Sequence, residues 1–247
     1  IGNNHLGNLK YFKKYVDAII DQKLKNATIQ IREKEFYKTN NNKYLLSSKV
    51  IEHEFNRLRK KNINIGLAVA DINFTEITSN YKVDFFKVLS WKADDFKLIN
   101  YLMNFDKTIY ISLGTLSERR IKNLSNSLEG YKNIKFIHTQ LNYNIDDLNL
   151  FFLKKLKTFS KIPISYGHHS KNNLNPLIMS LALEIDKIFI YLKLNSINKF
   201  PDHEHAINID HLPSLLEELQ TCLRLLGKEK KIKSKNMIEE LANRRKI

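Results

Sequence analysis

A closed (β/α)8 barrel, the TIM-barrel class of α/β fold, is the architecture this sequence predicts, on three observations. Short apolar runs rich in Ile, Val and Phe alternate with amphipathic stretches of helical period along the whole chain. Side chains able to bind anions, move protons or hold metals stand directly after those runs, where a parallel barrel gathers its chemistry. No GxGxxG or Walker-type glycine loop argues for an open doubly wound sheet instead. A chain of 247 residues suits one such barrel.

The first helix is read from Phe12, Tyr15, Val16, Ile19, Ile20 and Leu24, which share one face. Residues 27–32 alternate apolar Ile29 and Ile31 with polar Gln30 and Arg32, the period of a strand. The alternation goes on with a helix at 47–60, a strand at 63–69, a short helix from Thr75 and a strand at 83–89. A helix at 94–104, a strand at 108–112, a helix at 117–128 and a strand at 134–138 follow. Asp146 has the side chain to cap a helix reaching Thr158, and residues 162–166, 176–183 and 185–194 read as strand, helix and strand. The last long helix carries Leu212, Leu215, Leu216, Leu219, Leu223 and Leu226 on one stripe. Asp210 is expected at its N-cap, Pro213 in its first turn and Gly227 at its stop. Seven strands are counted, so the first of eight is expected at or just before Ile1. Residues 1–227 are assigned to the barrel and 228–247 to a basic linker or tail.

Composition narrows the function classes. Cys222 is the one cysteine, so no internal disulfide forms; it lies on the last helix as a packing residue, and a reducing compartment fits. No uninterrupted apolar run reaches membrane-spanning length and no signal peptide opens the chain, so a cytoplasmic protein without a membrane partner is expected. Ile1 in place of Met implies an upstream piece. The net charge of +15 invites nucleic acid, but the lysines are scattered along helices among Asn and Ile, as in a compositionally biased genome. The densest run, between Lys228 and Lys235, reads as a solvated linker.

Among the strand-end groups, Lys87 brings a compact positive charge and Ser90 and Ser112 bring hydroxyl donors. Gly114 and Gly167 allow backbone N–H groups to approach an anion closely. A surface lysine beside two hydrogen-bonded serines is the plainer alternative. Arg32 offers a two-pronged donor for a carboxylate. Tyr143 and Asp202 read either as ligand contacts or as a rim packing residue and a turn residue after Pro201.

The opening IGNNHLGNL, then FFKVLS, YISLGTLS, SYGHHS and FPDHEHAI, taken in order, resemble the motifs of the N-acetylneuraminate (sialic acid) synthase family, over its barrel domain. That family condenses phosphoenolpyruvate with an N-acylmannosamine-type sugar and uses a divalent, manganese-type cation. The resemblance implies that Lys87, Ser90, Ser112, Gly114 and Gly167 hold the phosphate. It implies too that Arg32 meets the carboxylate, and that Asn4, Tyr143 and Asp202 face the sugar. His169 matches one metal-binding histidine, whereas Ile190 and Leu192 stand where the family has a glutamate and a second histidine. Gln30 and Ala68 replace a lysine and a threonine. Apolar side chains neither ligate a cation nor move a proton, so the metal is not expected to bind here unless His168, His203 or His205 rebuilds the site. The resemblance further implies a homodimer, and a linker at GKEKKIKSKNMIEELANRRKI leading to a small antifreeze-like domain that this sequence does not include. Three readings follow: a divergent acidic-sugar synthase; a non-catalytic homologue that binds phosphoenolpyruvate or a sugar phosphate, or partners a true synthase; and, least favoured, a basic nucleic-acid-binding barrel.

Overall fold

Seven strands pair in parallel in the order in which the chain makes them: β1 (Asn26–Gln30), β2 (Asn64–Val69), β3 (Phe85–Val88), β4 (Thr108–Ser112), β5 (Ile134–Thr139), β6 (Ile164–Gly167) and β7 (Ile188–Phe189). Parallel neighbours cannot be joined by tight turns, and helices supply the crossovers. The helices among the described residues are α1 (Leu9–Asp21), α2 (Lys34–Lys38), α3 (Ser48–Arg59), α4 (Phe96–Met103), α5 (Glu118–Leu128), α6 (Phe152–Phe159), α7 (Asn175–Leu181), α8 (Leu212–Leu226) and α9 (Lys235–Arg244); α2 and α3 lie between β1 and β2, and α4 to α7 join the successive strands from β3 to β7. The computed structural model describes residues 1–39, 42–73, 81–171, 173–195, 200–229 and 234–244, so the short helix expected from Thr75 lies outside the described residues.

The pleat sorts the side chains into two layers. Leu67, Val69, Phe86, Val88, Ile109, Ile111, Ile134 and Phe136 point outward and pack against Phe12, Val16, Phe55, Leu58, Leu98 and Leu156 of the helices. Phe85, Tyr110, Ile137 and Phe189 form a cluster of the opposite parity, on the inner face of the sheet. Gly66 makes room for the Phe85 ring there: a Cβ at Gly66 would lie 2.1 Å from Phe85 Cε2.

The sheet's two ends are brought together by the start of the chain. The Ile1 nitrogen donates to the Thr28 carbonyl (2.5 Å), and Gln30 N–H donates back to the Ile1 carbonyl (3.0 Å). Asn4 Nδ2 then donates to the Leu192 carbonyl (2.8 Å), beyond β7. Seven strands form the sheet among the described residues, and the expected eighth at the chain start is not among them; the first residues bond along the outer edge of β1 without forming a strand.

Several expectations differ from the structure. The strand expected at 185–194 is broken: Ile188–Phe189 stays with β6, while β8 (Leu192–Lys193) pairs with β9 (Ile207–Asn208), led in by a bond from Ile207 N–H to the Tyr191 carbonyl (2.8 Å). Neither Asp146 nor Asp210 caps a long helix. Asn144 and Asn208 instead cap one-turn 3-10 segments that contain them, and α6 and α8 begin without a side-chain cap. The leucine stripe of α8 is buried at Leu212 and Leu215 but exposed at Leu223 and Leu226, because only its first half lies over the barrel; Cys222 is half-buried. The tail expected at 228–247 contains α9, which has no buried residue. Among the described residues no helix is long and apolar enough to cross a membrane.

Tyr15 is fully buried and serves both sides of the seam, donating to the Asn4 carbonyl (3.3 Å) and accepting from Leu194 N–H (3.1 Å). Tyr15→Phe leaves both partners unmet in a dry interior. It should cost about 1–3 kcal/mol in urea unfolding while preserving the circular dichroism of the native fold.

Candidate functional site

Lys87 lies on β3 with the inner-face parity of Phe85, and its side chain is 7% exposed. Its ammonium donates to the Tyr191 hydroxyl (3.4 Å) and sits over the rings of Phe189 (5.4 Å) and Tyr191 (5.2 Å). The Tyr191 hydroxyl in turn donates to Gln30 Oε1 (3.4 Å), so β1, β3 and the stretch after β7 meet at one point. These residues line a cavity of about 290 Å³. Burial lowers the Lys87 ammonium to about 8, and the Asp202 carboxylate opposes that shift without forming a salt bridge. Asp202 is itself pushed up to about 6 by burial, against the positive charges of the Ile1 amino group, Lys87 and Arg32.

Asp202 is delivered by the seam. Its backbone N–H donates to Asn4 Oδ1 (2.9 Å), and the carboxylate lies where a Cβ at Gly2 would meet Asp202 Oδ2 at 2.2 Å. Asn4 thus uses both ends of its carboxamide on backbone, joining Leu192 to Asp202.

Beside this charge pair runs a column of rings. His169 and His205 stack at 4.1 Å with planes 14° apart, and Tyr143 continues the stack over His205 at 5.6 Å. Tyr191 meets both imidazoles edge-on, at 5.4 and 4.8 Å. Burial lowers His205 to about 3 and His168 to about 4. It also drives His169 well below the ordinary range, helped by its neighbours His205 and Lys87. All three imidazoles are neutral at neutral pH.

A second cluster gathers hydroxyls and glycines. Ser90 Oγ and Ser112 Oγ share a hydrogen bond (2.8 Å), and Thr115 Oγ1 donates to the Ser90 carbonyl (2.5 Å). A Cβ at Gly114 would meet Thr139 Cγ2 at 2.8 Å and Ser90 Oγ at 3.2 Å, and one at Gly167 would meet Thr139 Oγ1 at 3.2 Å. Thr139 Oγ1 is buried and has no hydrogen-bond partner in the protein. Both clusters occupy the C-terminal ends of the strands, yet they line different cavities. Gly114, with His138, Thr139, Phe151 and Met179, faces an apolar groove of about 1060 Å³ between α5, α6 and α7.

The remaining candidates sort by parity. The guanidinium of Arg32 is already engaged by both carboxylate oxygens of Glu33 (2.8 and 3.0 Å) and is sandwiched between Phe36 and Trp91 (4.3 and 4.5 Å). His138 points to the helix layer and bonds the Leu148 carbonyl (3.2 Å). Ile190 and Leu192 face the apolar core; the side chains that this stretch turns toward Lys87 are Phe189 and Tyr191. The side chains of this stretch that lie against Lys87 are therefore those one residue before Ile190 and Leu192, since a strand's facing inverts with each step. Sequence reasoning passed over Tyr191, Phe189, Thr139 and Trp91 as site residues and named His205 only as one of three spare histidines. The alternation of Phe189 and Tyr191 with Lys87-facing parity was the one signal available for them.

A sequence profile of the NeuB family matches residues 8–231. An uncharacterized protein of Methanocaldococcus jannaschii is 25% identical over 247 aligned positions, covering 94% of this chain and 72% of that protein. Among solved structures, the N-acetylneuraminic acid (sialic acid) synthetase of Leptospira borgpetersenii, crystallised with citrate, superposes with a TM-score of 0.86 at 21% identity, over all of this chain and 90% of its own. The spore coat polysaccharide biosynthesis protein E of Chromobacterium violaceum gives 0.85 at 17% identity, over 98% and 79%. The fold is therefore that of a TIM-barrel-like α/β protein, and the profile match over most of the sequence makes this chain a member of the NeuB family.

Proposed function

We propose that this chain serves acidic-sugar biosynthesis by binding an anionic ligand, phosphoenolpyruvate or a sugar phosphate, at Lys87, without the cation-assisted condensation. The observation that carries this reading is the state of Lys87. A buried ammonium is costly unless an opposite charge meets it, and among the described residues no carboxylate forms a salt bridge with it. An arriving phosphate or carboxylate supplies that charge. Gln30 and the Tyr191 hydroxyl add neutral polar groups at the same point, and the Ser90, Ser112 and Thr139 hydroxyls lie farther along the same rim.

The residues present do not fit the divalent cation that the family resemblance implies. Imidazole ligates through a lone pair in the plane of its ring, at about 2.1 Å. Rings stacked like His169 and His205 direct their lone pairs side by side, so a cation seated on one remains a stacking distance from the other. Phe189 offers no donor, and burial followed by the Asp202 charge keeps Tyr191 a phenol, above its ordinary range. Among the described residues no group of three or more His, Cys, Asp or Glu is arranged to hold an ion. A divergent synthase that turns over by another route is the second reading, favoured by the retention of Lys87, Asp202 and His169 at one rim.

Calorimetry should detect binding of phosphoenolpyruvate or inorganic phosphate, and Lys87→Ala should abolish it; unchanged affinity in that variant rejects the anion site. Because the ammonium must be charged to bind and titrates at about 8, affinity should fall roughly tenfold between pH 7 and pH 9 as the proton is lost. Manganese should leave the melting temperature unmoved. A product assay with phosphoenolpyruvate and a panel of N-acyl hexosamines, with and without divalent ions, separates the two readings: sugar-acid product would establish turnover.

A further inference from the structure

Gln30 and Arg32 share one facing. The ladder of β1 continues through a bond from Ile31 N–H to the Ala68 carbonyl (2.9 Å), and alternate residues of a strand point the same way. Gln30 meets the Tyr191 hydroxyl that Lys87 also contacts, and the Arg32 charge is felt by both Tyr191 and Asp202. Arg32 therefore stands on the Lys87 side of β1, as the cation that a second acidic group of a ligand would seek. That place is taken. Nε and Nη2 of Arg32 donate to the two carboxylate oxygens of Glu33 (3.0 and 2.8 Å), with Phe36 and Trp91 against the guanidinium at 4.3 and 4.5 Å. Glu33 is the N-cap residue of α2 yet makes no capping bond with its side chain, which turns to Arg32 instead. The Arg32 fork in turn holds the Glu33 carboxyl below its ordinary range, so the pair stays charged through mildly acidic pH. A ligand carboxylate that displaced Glu33 would exchange one charge-assisted pair for an equal one, and a neighbour in the chain competes at an effective concentration of roughly millimolar or more. Lys87 has no internal carboxylate bonded to it among the described residues, so a phosphate arriving there meets no such competitor.

We propose that Glu33 sets the ligand charge this site accepts: by filling the Arg32 fork, it makes the pocket select phosphate monoesters with an otherwise uncharged body over ligands, phosphoenolpyruvate among them, that carry a carboxylate beside the phosphate. The inference rests on the reading that Lys87 holds the ligand's phosphate. Glu33 touches no ligand and acts through Arg32, as a specificity-determining residue. In the wild type the carboxylate of phosphoenolpyruvate arrives beside a cation already neutralised and adds nothing to the affinity. Removing the Glu33 charge frees the fork and reverses the preference.

The test is calorimetric titration of the full chain at neutral pH with phosphoenolpyruvate and with isopropyl phosphate, which keeps the phosphate on a branched three-carbon body and lacks the carboxylate. The wild type should bind isopropyl phosphate at least as tightly as phosphoenolpyruvate. Glu33→Gln removes the charge, and Glu33→Ala removes the acceptor as well. Both should raise phosphoenolpyruvate affinity by about tenfold or more and leave isopropyl phosphate within about threefold of the wild type. Misfolding does not produce a gain of this kind, and Arg32→Met added to Glu33→Gln should remove it. The specificity role is overturned if the wild type binds phosphoenolpyruvate about tenfold tighter than isopropyl phosphate. It is also overturned if the Glu33 variants shift both ligands alike or shift neither. If the wild type takes neither ligand, or Lys87→Ala binds both unchanged, the Lys87 reading itself fails and the inference falls with it.

Discussion

The carboxamide of Asn4 holds the two ends of the sheet in one place. One end of it binds the carbonyl of Leu192 and the other the N–H of Asp202, while Tyr15 ties the Asn4 carbonyl to Leu194. Side chains that belong to the site depend on this seam for their position: Asp202 directly, Tyr191 one residue before Leu192, and His205 three residues after Asp202. A seam built from buried hydrogen bonds is directional, and each bond left unmade carries a desolvation cost. Register at the closing edge of the barrel is therefore set by polar groups, whereas the rest of the sheet is held in register by its apolar pleat.

Inside that seam the electrostatics are unbalanced in a useful way. Lys87 is the buried cation, Asp202 offsets it only at a distance, and the surrounding imidazoles are neutral because charging them would place more positive charge in a desolvated space. The aromatic faces of Phe189 and Tyr191 relieve part of the cost of the ammonium, a weak quadrupolar attraction compared with that of an opposite charge. That imbalance is what supports the proposed anion site. The stacking of His169 on His205 belongs to the same economy, since two neutral rings pack face to face where two charged ones would repel.

Much of this was legible in the chain. Lys87, Ser90, Ser112, His169 and Asp202 stood out because polar groups directly after apolar strands have few structural reasons to be there; the structure puts the first four at or just after the ends of β3, β4 and β6, and Asp202 in the turn between β8 and β9. Arg32 was legible as a rim cation, but its neighbour Glu33 takes up the donor fork, a local pairing that motif spacing does not reveal. Asp146 and Asp210 were plausible caps by residue type. They failed because the chain makes a 3-10 turn ahead of each helix, capped by Asn144 and Asn208, and the residue that follows each turn, Leu148 or Leu212, is buried.

The alternation of apolar runs was enough, by itself, to determine a parallel α/β barrel and to mark which end carries polar groups, because burial on both faces and a period of two leave few other folds open to these strands. Only the tertiary structure decided which residues of the stretch after β7 face inward, since a shift of one position inverts every side chain and composition is blind to it. The meeting of His205 with His169 was likewise decided in three dimensions. Nothing local links two histidines on separate segments, and their contact exists because Asn4 draws the Asp202 turn across the mouth of the barrel.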